Sequence, residues 1–230
     1  MPSPQTILAV GAHYDDCVFG IPGILLNAVS KHHRVVILAI IGDYSNWPPA
    51  QGREAALLKV STQLAKERGM EMRFLKHASM HFRLDETTQR EVAEIVEEIK
   101  PSTAFMLWPH DRHPDHEAAA AICKAALAQP RTILGRECPN PRRIYCFDNG
   151  PGHTIGFEPN TFVDVSREWD AAMDWLGRLM AFVNQTEFDP AKPDSSRHAK
   201  ENIARYRGAT SGVKYAEALW AMRAAPVEIV

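Results

Sequence analysis

The run Arg34-Val35-Val36-Ile37-Leu38-Ala39-Ile40-Ile41 constrains the fold more than any other stretch. It is rich in β-branched residues, apolar without interruption after Arg34, and ended by Gly42-Asp43. A strand with one wet face alternates apolar and polar residues. A strand without that alternation is buried on both faces, as inside a helix-covered parallel sheet. Further short strands are expected at residues 6–11, 71–75, 103–108 and 143–147. Helical stretches separate them. One covers residues 24–29 after Gly20-Ile21-Pro22-Gly23, and one covers 54–68 with Gly69 as its stop. Another runs over 86–100 ahead of Pro101, and the last over 114–128 with Pro114 in its first turn. The order βαβαβαβαβ predicts an α/β fold: a Rossmann-like, doubly wound, mostly parallel sheet with helices on both faces. In a strand order of the 3-2-1-4-5 type, the first and fourth strands are neighbours, and the loops after them line the ligand crevice. The tail is less regular. It holds a short strand at 161–165, helices at 169–184 and 197–207, and a polar loop at 185–196. We read one domain over residues 1–230, with a core of about 5–150 and a C-terminal extension of about 151–230.

Composition narrows the function. A net charge of -2 and the absence of a long Lys/Arg tract argue against nucleic acid as a partner. No apolar stretch approaches the roughly 20 residues of a membrane span. Met1-Pro2-Ser3-Pro4 has neither the charge nor the apolar run of a secretory leader. Cys17, Cys123, Cys138 and Cys146 are widely spaced, without a CxxC pair, and read as reduced, buried thiols. Together these features predict a cytoplasmic protein acting on a small molecule.

Two polar clusters follow apolar runs. Ala12-His13-Tyr14-Asp15-Asp16 comes after the first strand, and His110-Asp111-Arg112-His113-Pro114-Asp115-His116 after the fourth. The predicted topology brings the two together. Catalytic zinc takes three protein ligands, commonly His and carboxylate, and leaves a position open. The clusters supply two imidazoles and a carboxylate, with a second carboxylate left over as general base and a further imidazole for the oxyanion. Spacing does not decide whether Asp15 or Asp16 is the ligand. No GxGxxG follows the first strand, and Gly11 and Gly20 lie too far apart for a dinucleotide turn.

The motif at 12–16 resembles AHPDD(E), and His113-Pro114-Asp115-His116 resembles HPDH, of the PIG-L/LmbE-like zinc-dependent de-N-acetylases. The segment 160–166 is similar to that family's late "vDIs" stretch, and 208–218 to its C-terminal "G…GvxyAEaf" stretch. The resemblance spans about residues 5–220. It implies Zn2+, or another divalent metal, on His13, Asp16 and His116. It implies Asp15 as general base in a zinc-activated hydrolysis, and a charged His113, oriented by Asp115, at the oxyanion or the leaving amine. The implied substrate is a small N-acetylated amino sugar or conjugate, and relatives of this kind often form trimers or hexamers. Activity would then follow a bell-shaped pH profile, with Asp15 ionised and His113 protonated.

The chain also departs from the family pattern. Tyr14 stands where the motif has Pro, and Cys17 where it has Glu. Arg53, Asp85, Arg112 and Tyr14 are the candidate substrate-binding residues; Asp85 reads equally well as a helix N-cap, and Arg112 as a partner of Glu117. Trp47 could stack on a sugar, Trp108 fits core packing better, and His153 in a Gly-rich loop could cap the pocket. These departures keep open a metal-dependent amidase acting on a non-sugar or natural-product N-acyl substrate.

Overall fold

The computed structural model describes residues 4–222. Of the N-terminal stretch read above, Met1-Pro2-Ser3 lie outside the described residues. Five strands, β1 (Thr6–Gly11), β2 (Arg34–Asp43), β3 (Glu71–Ala78), β4 (Thr103–Leu107) and β5 (Arg143–Phe147), run parallel to one another. Later in the chain β6 (Thr161–Asp164) and β7 (Ala216–Ala221) complete a seven-stranded sheet of order β3-β2-β1-β4-β5-β7-β6. The expected order holds for the first five strands. β1 pairs with both β2 and β4, and residues Leu8 to Val10, like Val35 to Ile41, are fully or almost fully buried. Continuous apolar sequence here does mean burial on both faces.

Helices α2 (Pro22–Ser30) and α3 (Glu54–Glu67) contact α7 (Trp169–Asn184), while α4 (Glu86–Ile99), α5 (Pro114–Ala128) and α6 (Pro130–Leu134) contact one another. These are the two helical layers of a doubly wound sheet. The expected helix at 24–29 is longer and divided. A short α1 (Asp16–Gly20) precedes α2, because Pro22, lacking an N–H and fixed in φ, starts a new helix rather than continuing the old one. The strand β7 is absent from the sequence-based expectation. It inserts antiparallel between β5 and β6, and its alternation is too weak to read without a partner.

The sequence from 195 onward is tied to the start of the chain by a buried ion pair. Lys200, in α8 (Ser195–Ser211), sits 2.9 Å from Glu217 in β7, with 4% and 1% of their side chains exposed. Glu217 also accepts the N–H groups of Gly23 and Ile24 at 3.0 and 2.8 Å, capping α2, while Lys200 donates to Gly20 O at 2.8 Å. Both charges at this junction, and the first N–H groups of α2 that reach it, therefore have partners. Among the described residues no helix is long and apolar enough to cross a membrane.

Removing Glu217 leaves a buried ammonium without a counter-charge. Glu217→Ala should therefore lower unfolding stability by about 3–5 kcal/mol, read from urea denaturation. A loss below about 1 kcal/mol would mean that the junction is solvated.

Candidate metal centre and active-site pocket

β1 and β4 end side by side, so the loops that follow them meet. Asp16 begins α1 directly beneath β1, and its approach is close: a Cβ on Gly11 would stand 2.7 Å from the Asp16 Cβ. Only glycine fits there. The Asp16 carboxylate is then fully engaged. Oδ2 accepts the N–H groups of Ala12 and His13 at 2.7 and 2.8 Å, and Oδ1 accepts Asn149 Nδ2 at 2.8 Å. These donors and the two neighbouring imidazoles outweigh the effect of burial and hold Asp16 well below the usual carboxylate range.

Around Asp16 three donor atoms form a small triangle. His13 Nδ1 lies 3.2 Å from His116 Nε2, His116 Nε2 lies 3.2 Å from Asp16 Oδ1, and His13 Nδ1 lies 3.6 Å from Asp16 Oδ2. Ligands on a tetrahedral ion with bonds of about 2.0–2.1 Å are about 3.3 Å apart. The outer ring atoms have partners too. His13 Nε2 donates to Asp115 Oδ2 at 3.1 Å, and His116 Nδ1 faces Asp111 Oδ1 at 3.1 Å. With protons held on those outer atoms, the lone pairs of His13 Nδ1 and His116 Nε2 face each other across the triangle. Two converging lone pairs repel unless a cation lies between them, so the residues fit a divalent metal. In the metal-free chain protons fill that role. Burial opposes charging, but hydrogen bonds to Asp115 and Asp16 raise His13 to about 9, and the charges of Asp16 and Asp111 raise His116 to about 10.

The expected partner of Asp115 is corrected by this geometry. Asp115 orients His13, not His113. Its carboxylate is committed to His13, to Ser79 Oγ at 2.7 Å and to Met80 N at 2.9 Å, whereas His113 Nδ1 is 3.9 Å away. His113 instead caps α5, its Nδ1 accepting the N–H of Asp115 at 3.2 Å. That bond requires a lone pair on Nδ1, so the proton sits on Nε2. Burial, with the positive charges of His13 and His116, pushes His113 below its usual value. The expectation of a charged His113 is therefore replaced by a neutral ring with one N–H free to donate.

A cavity of about 480 Å³ opens on these groups. Asp15 lines it, half-buried, and is pushed up to about 6 by burial and by the charge of Asp16. His13, Asp16, His113 and His116 also line it, with Tyr14, Phe19, Tyr44 and Trp47 as aromatic walls. Tyr14 gives the departure from Pro a use. Its N–H, which Pro would lack, donates to the Tyr44 hydroxyl at 2.9 Å, and its ring packs 5.5 Å from those of Tyr44 and Trp47. Cys17 turns into the core, its thiol pushed up by burial, and lies in none of the metal-binding groupings of the described residues.

Three expected substrate residues lie outside this cavity. Arg53 braces the backbone, donating to Pro49 O, Phe182 O and Val183 O. Asp85 is the N-cap of α4 in a reciprocal capping box with Thr88. Arg112 is exposed, and only its backbone N–H is used, donating to His153 O at 2.9 Å; the Glu117 carboxylate instead lies 3.5 Å from Asp111 N. Trp108 packs against Phe157 and Trp220 and donates to Ile155 O. His153 does line the cavity, 5.3 Å ring to ring from His116. Asn149 and Ser79 are supporting residues that sequence reasoning missed, and Asp111 was left between a supporting and a surface role; no local spacing marks them.

Because the raised His13 and His116 values exceed the ordinary 6.5, their protonated forms stabilise the metal-free fold below pH 6.5. That stabilisation is lost as pH rises towards 10. A bound metal displaces those protons. The gap in thermal stability between metal-loaded and metal-stripped protein should therefore widen from pH 6 to pH 9. A gap that stays constant or narrows would contradict the assigned ring protons.

Solved structures share this architecture. The chain is similar to GalB, the 4-carboxy-2-hydroxymuconate hydratase of Pseudomonas putida (TM-score 0.80, 17% identity, 98% of this chain and 99% of that one). It is similar to the conserved protein TT1542 of Thermus thermophilus (TM-score 0.78, 23% identity, 98% of this chain and 97% of that one). It also resembles the N,N'-diacetylchitobiose deacetylase of Pyrococcus horikoshii (TM-score 0.75, 18% identity, 95% of this chain and 84% of that one). At these identities the likeness shows the fold. The family model PIG-L, described as GlcNAc-PI de-N-acetylase, matches residues 8–127, just over half of the chain and both polar clusters. The chain belongs to the PIG-L family.

Proposed function

We propose that this protein is a metal-dependent hydrolase that removes an N-acetyl group from a small amino sugar or sugar conjugate. The observation that carries the reading is the donor triangle of His13, Asp16 and His116 with Asp15 beside it, facing an aromatic-walled cavity. These residues would hold Zn2+, although other divalent ions suit the same ligands. When bound, such an ion polarises the amide carbonyl and brings the pKa of water towards about 7.

The chain's own groups do the rest. Asp15, raised by burial, takes the proton of the attacking water and is well matched to return it to the leaving amine. His113 donates its Nε2–H to the oxygen on which negative charge develops. Asp115 and Asp111 fix the rings of His13 and His116. Tyr14, Tyr44 and Trp47 offer faces for the apolar side of a sugar ring. No Lys or Arg lines the cavity among the described residues, so a neutral amide suits it better than an anionic substrate, whose charge would be buried without a partner.

A second reading is an amidase acting on a non-sugar N-acyl scaffold. It is favoured by one observation: Arg53 and Asp85, the hydroxyl-binding positions suggested by the resemblance, lie outside the cavity and serve the backbone. Acetate release measured over N-acetylglucosamine, simple N-acyl amines and an unsaturated carboxylate separates the readings. Turnover of the sugar first is expected, and turnover confined to the carboxylate would overturn both.

Asp15→Asn should lower kcat by about 10²–10⁴ while metal affinity holds. Asp115→Asn should weaken metal binding by roughly 10–100-fold, because its imidazole partner is a ligand; unchanged affinity would return Asp115 to His113. The acid limb of kcat/KM should lie at or below about 6, since Asp15 must be ionised and a bound cation lowers its pKa further. No alkaline limb should come from His113, so His113→Gln should change the height of the profile but not its shape.

A further inference from the structure

Beside the active-site cavity lies a second one of about 390 Å³, on the far side of a ridge formed by Gly150, Pro151 and Ile203, which line both. The ridge is thin for a structural reason. Gly150 has φ +82°, and a Cβ there would meet Ile203 Cδ1 at 2.9 Å. The second cavity is not an apolar void. Arg207 from α8 lies in it 3.6 Å from Asp148, and its Nε–H is buried without an acceptor. The guanidinium is sandwiched 5.5 Å from the Phe157 ring and 5.4 Å from the Tyr206 ring. Tyr206 is 66% exposed, an unusual position for a large ring with no partner beyond its own helix neighbour.

A buried donor left unpaired costs stability, so its retention calls for a ligand that supplies an acceptor. The nearby carboxylate restricts what that ligand is. Asp148 already balances Arg207, and burial raises its own carboxyl, so a second anion would be repelled. A neutral group that both accepts from Arg207 and donates to Asp148, with a flat apolar side for Tyr206, meets all three requirements. Adjacent hydroxyls on a pyranose ring have that pattern.

We infer that the cavity lined by Asp148, Phe157, Tyr206 and Arg207 is a second sugar subsite, so that the substrate is a glycoconjugate with one ring at the metal centre and another across the Gly150–Pro151 ridge. This rests on the deacetylase reading above and extends it to the size of the substrate. The subsite should make N,N'-diacetylchitobiose a better substrate than N-acetylglucosamine. Tyr206→Ala, a surface change that the fold tolerates, and Arg207→Met should each reduce the disaccharide-to-monosaccharide ratio of kcat/KM by about ten-fold, with the loss in KM rather than kcat.

Calorimetric titration of the disaccharide into the Asp15→Asn protein separates the two proposals. Saturable binding that is weakened by Tyr206→Ala, without turnover by the unmutated enzyme, supports the subsite and removes the deacetylase reading. Turnover of both sugars at a ratio that neither variant alters overturns the subsite and leaves the reading in place. Failure of the disaccharide to bind or react overturns the subsite as a sugar site.

Discussion

One carboxylate holds the two halves of the site in register. Asp16 accepts two backbone N–H groups from the turn after β1, takes the Asn149 amide from the loop after β5, and faces both imidazoles. A buried carboxylate with so many donors is fixed in position and stays ionised. Its neighbour in sequence has few constraints and faces the cavity. The same dipeptide thus provides a low-pKa ligand and a raised-pKa base, and the difference comes from what each side chain touches.

The second layer of carboxylates does the positioning. Asp115 and Asp111 each hold the outer nitrogen of one imidazole, which fixes the ring protons and aims the free lone pairs inward. The helix-capping bond of His113 fixes its tautomer by a local rule of helix termini. Pro114, at the first position of α5, has a structural and a chemical consequence at once: it starts the helix, and the start sets the donor.

Much of this was legible in the sequence. Uninterrupted apolar runs and their alternation with helical stretches specified the parallel core, and the neighbouring positions of β1 and β4 followed from chain order. The residues at 13–16 and 113–116 could be placed together for that reason. What was not legible depends on contacts between distant segments. β7 has a short, weakly patterned sequence and exists because β5 and β6 flank it. Asn149 and Ser79 reach the site through tertiary packing, and the exchange of partners at Asp115 depends on a ring placed about a hundred residues earlier. Arg53 and Asp85 were misread because a polar residue near a helix start serves the backbone as readily as a ligand.

The most direct test couples metal to chemistry. Metal-stripped protein is titrated with zinc, and acetate release from an N-acetylated amino sugar is followed against bound metal. Release should rise in proportion to bound zinc and level off at about one ion per chain, as a single three-ligand site requires. Release that is independent of bound metal, or a fully loaded protein that frees no acetate from any N-acetylated substrate, would contradict the account.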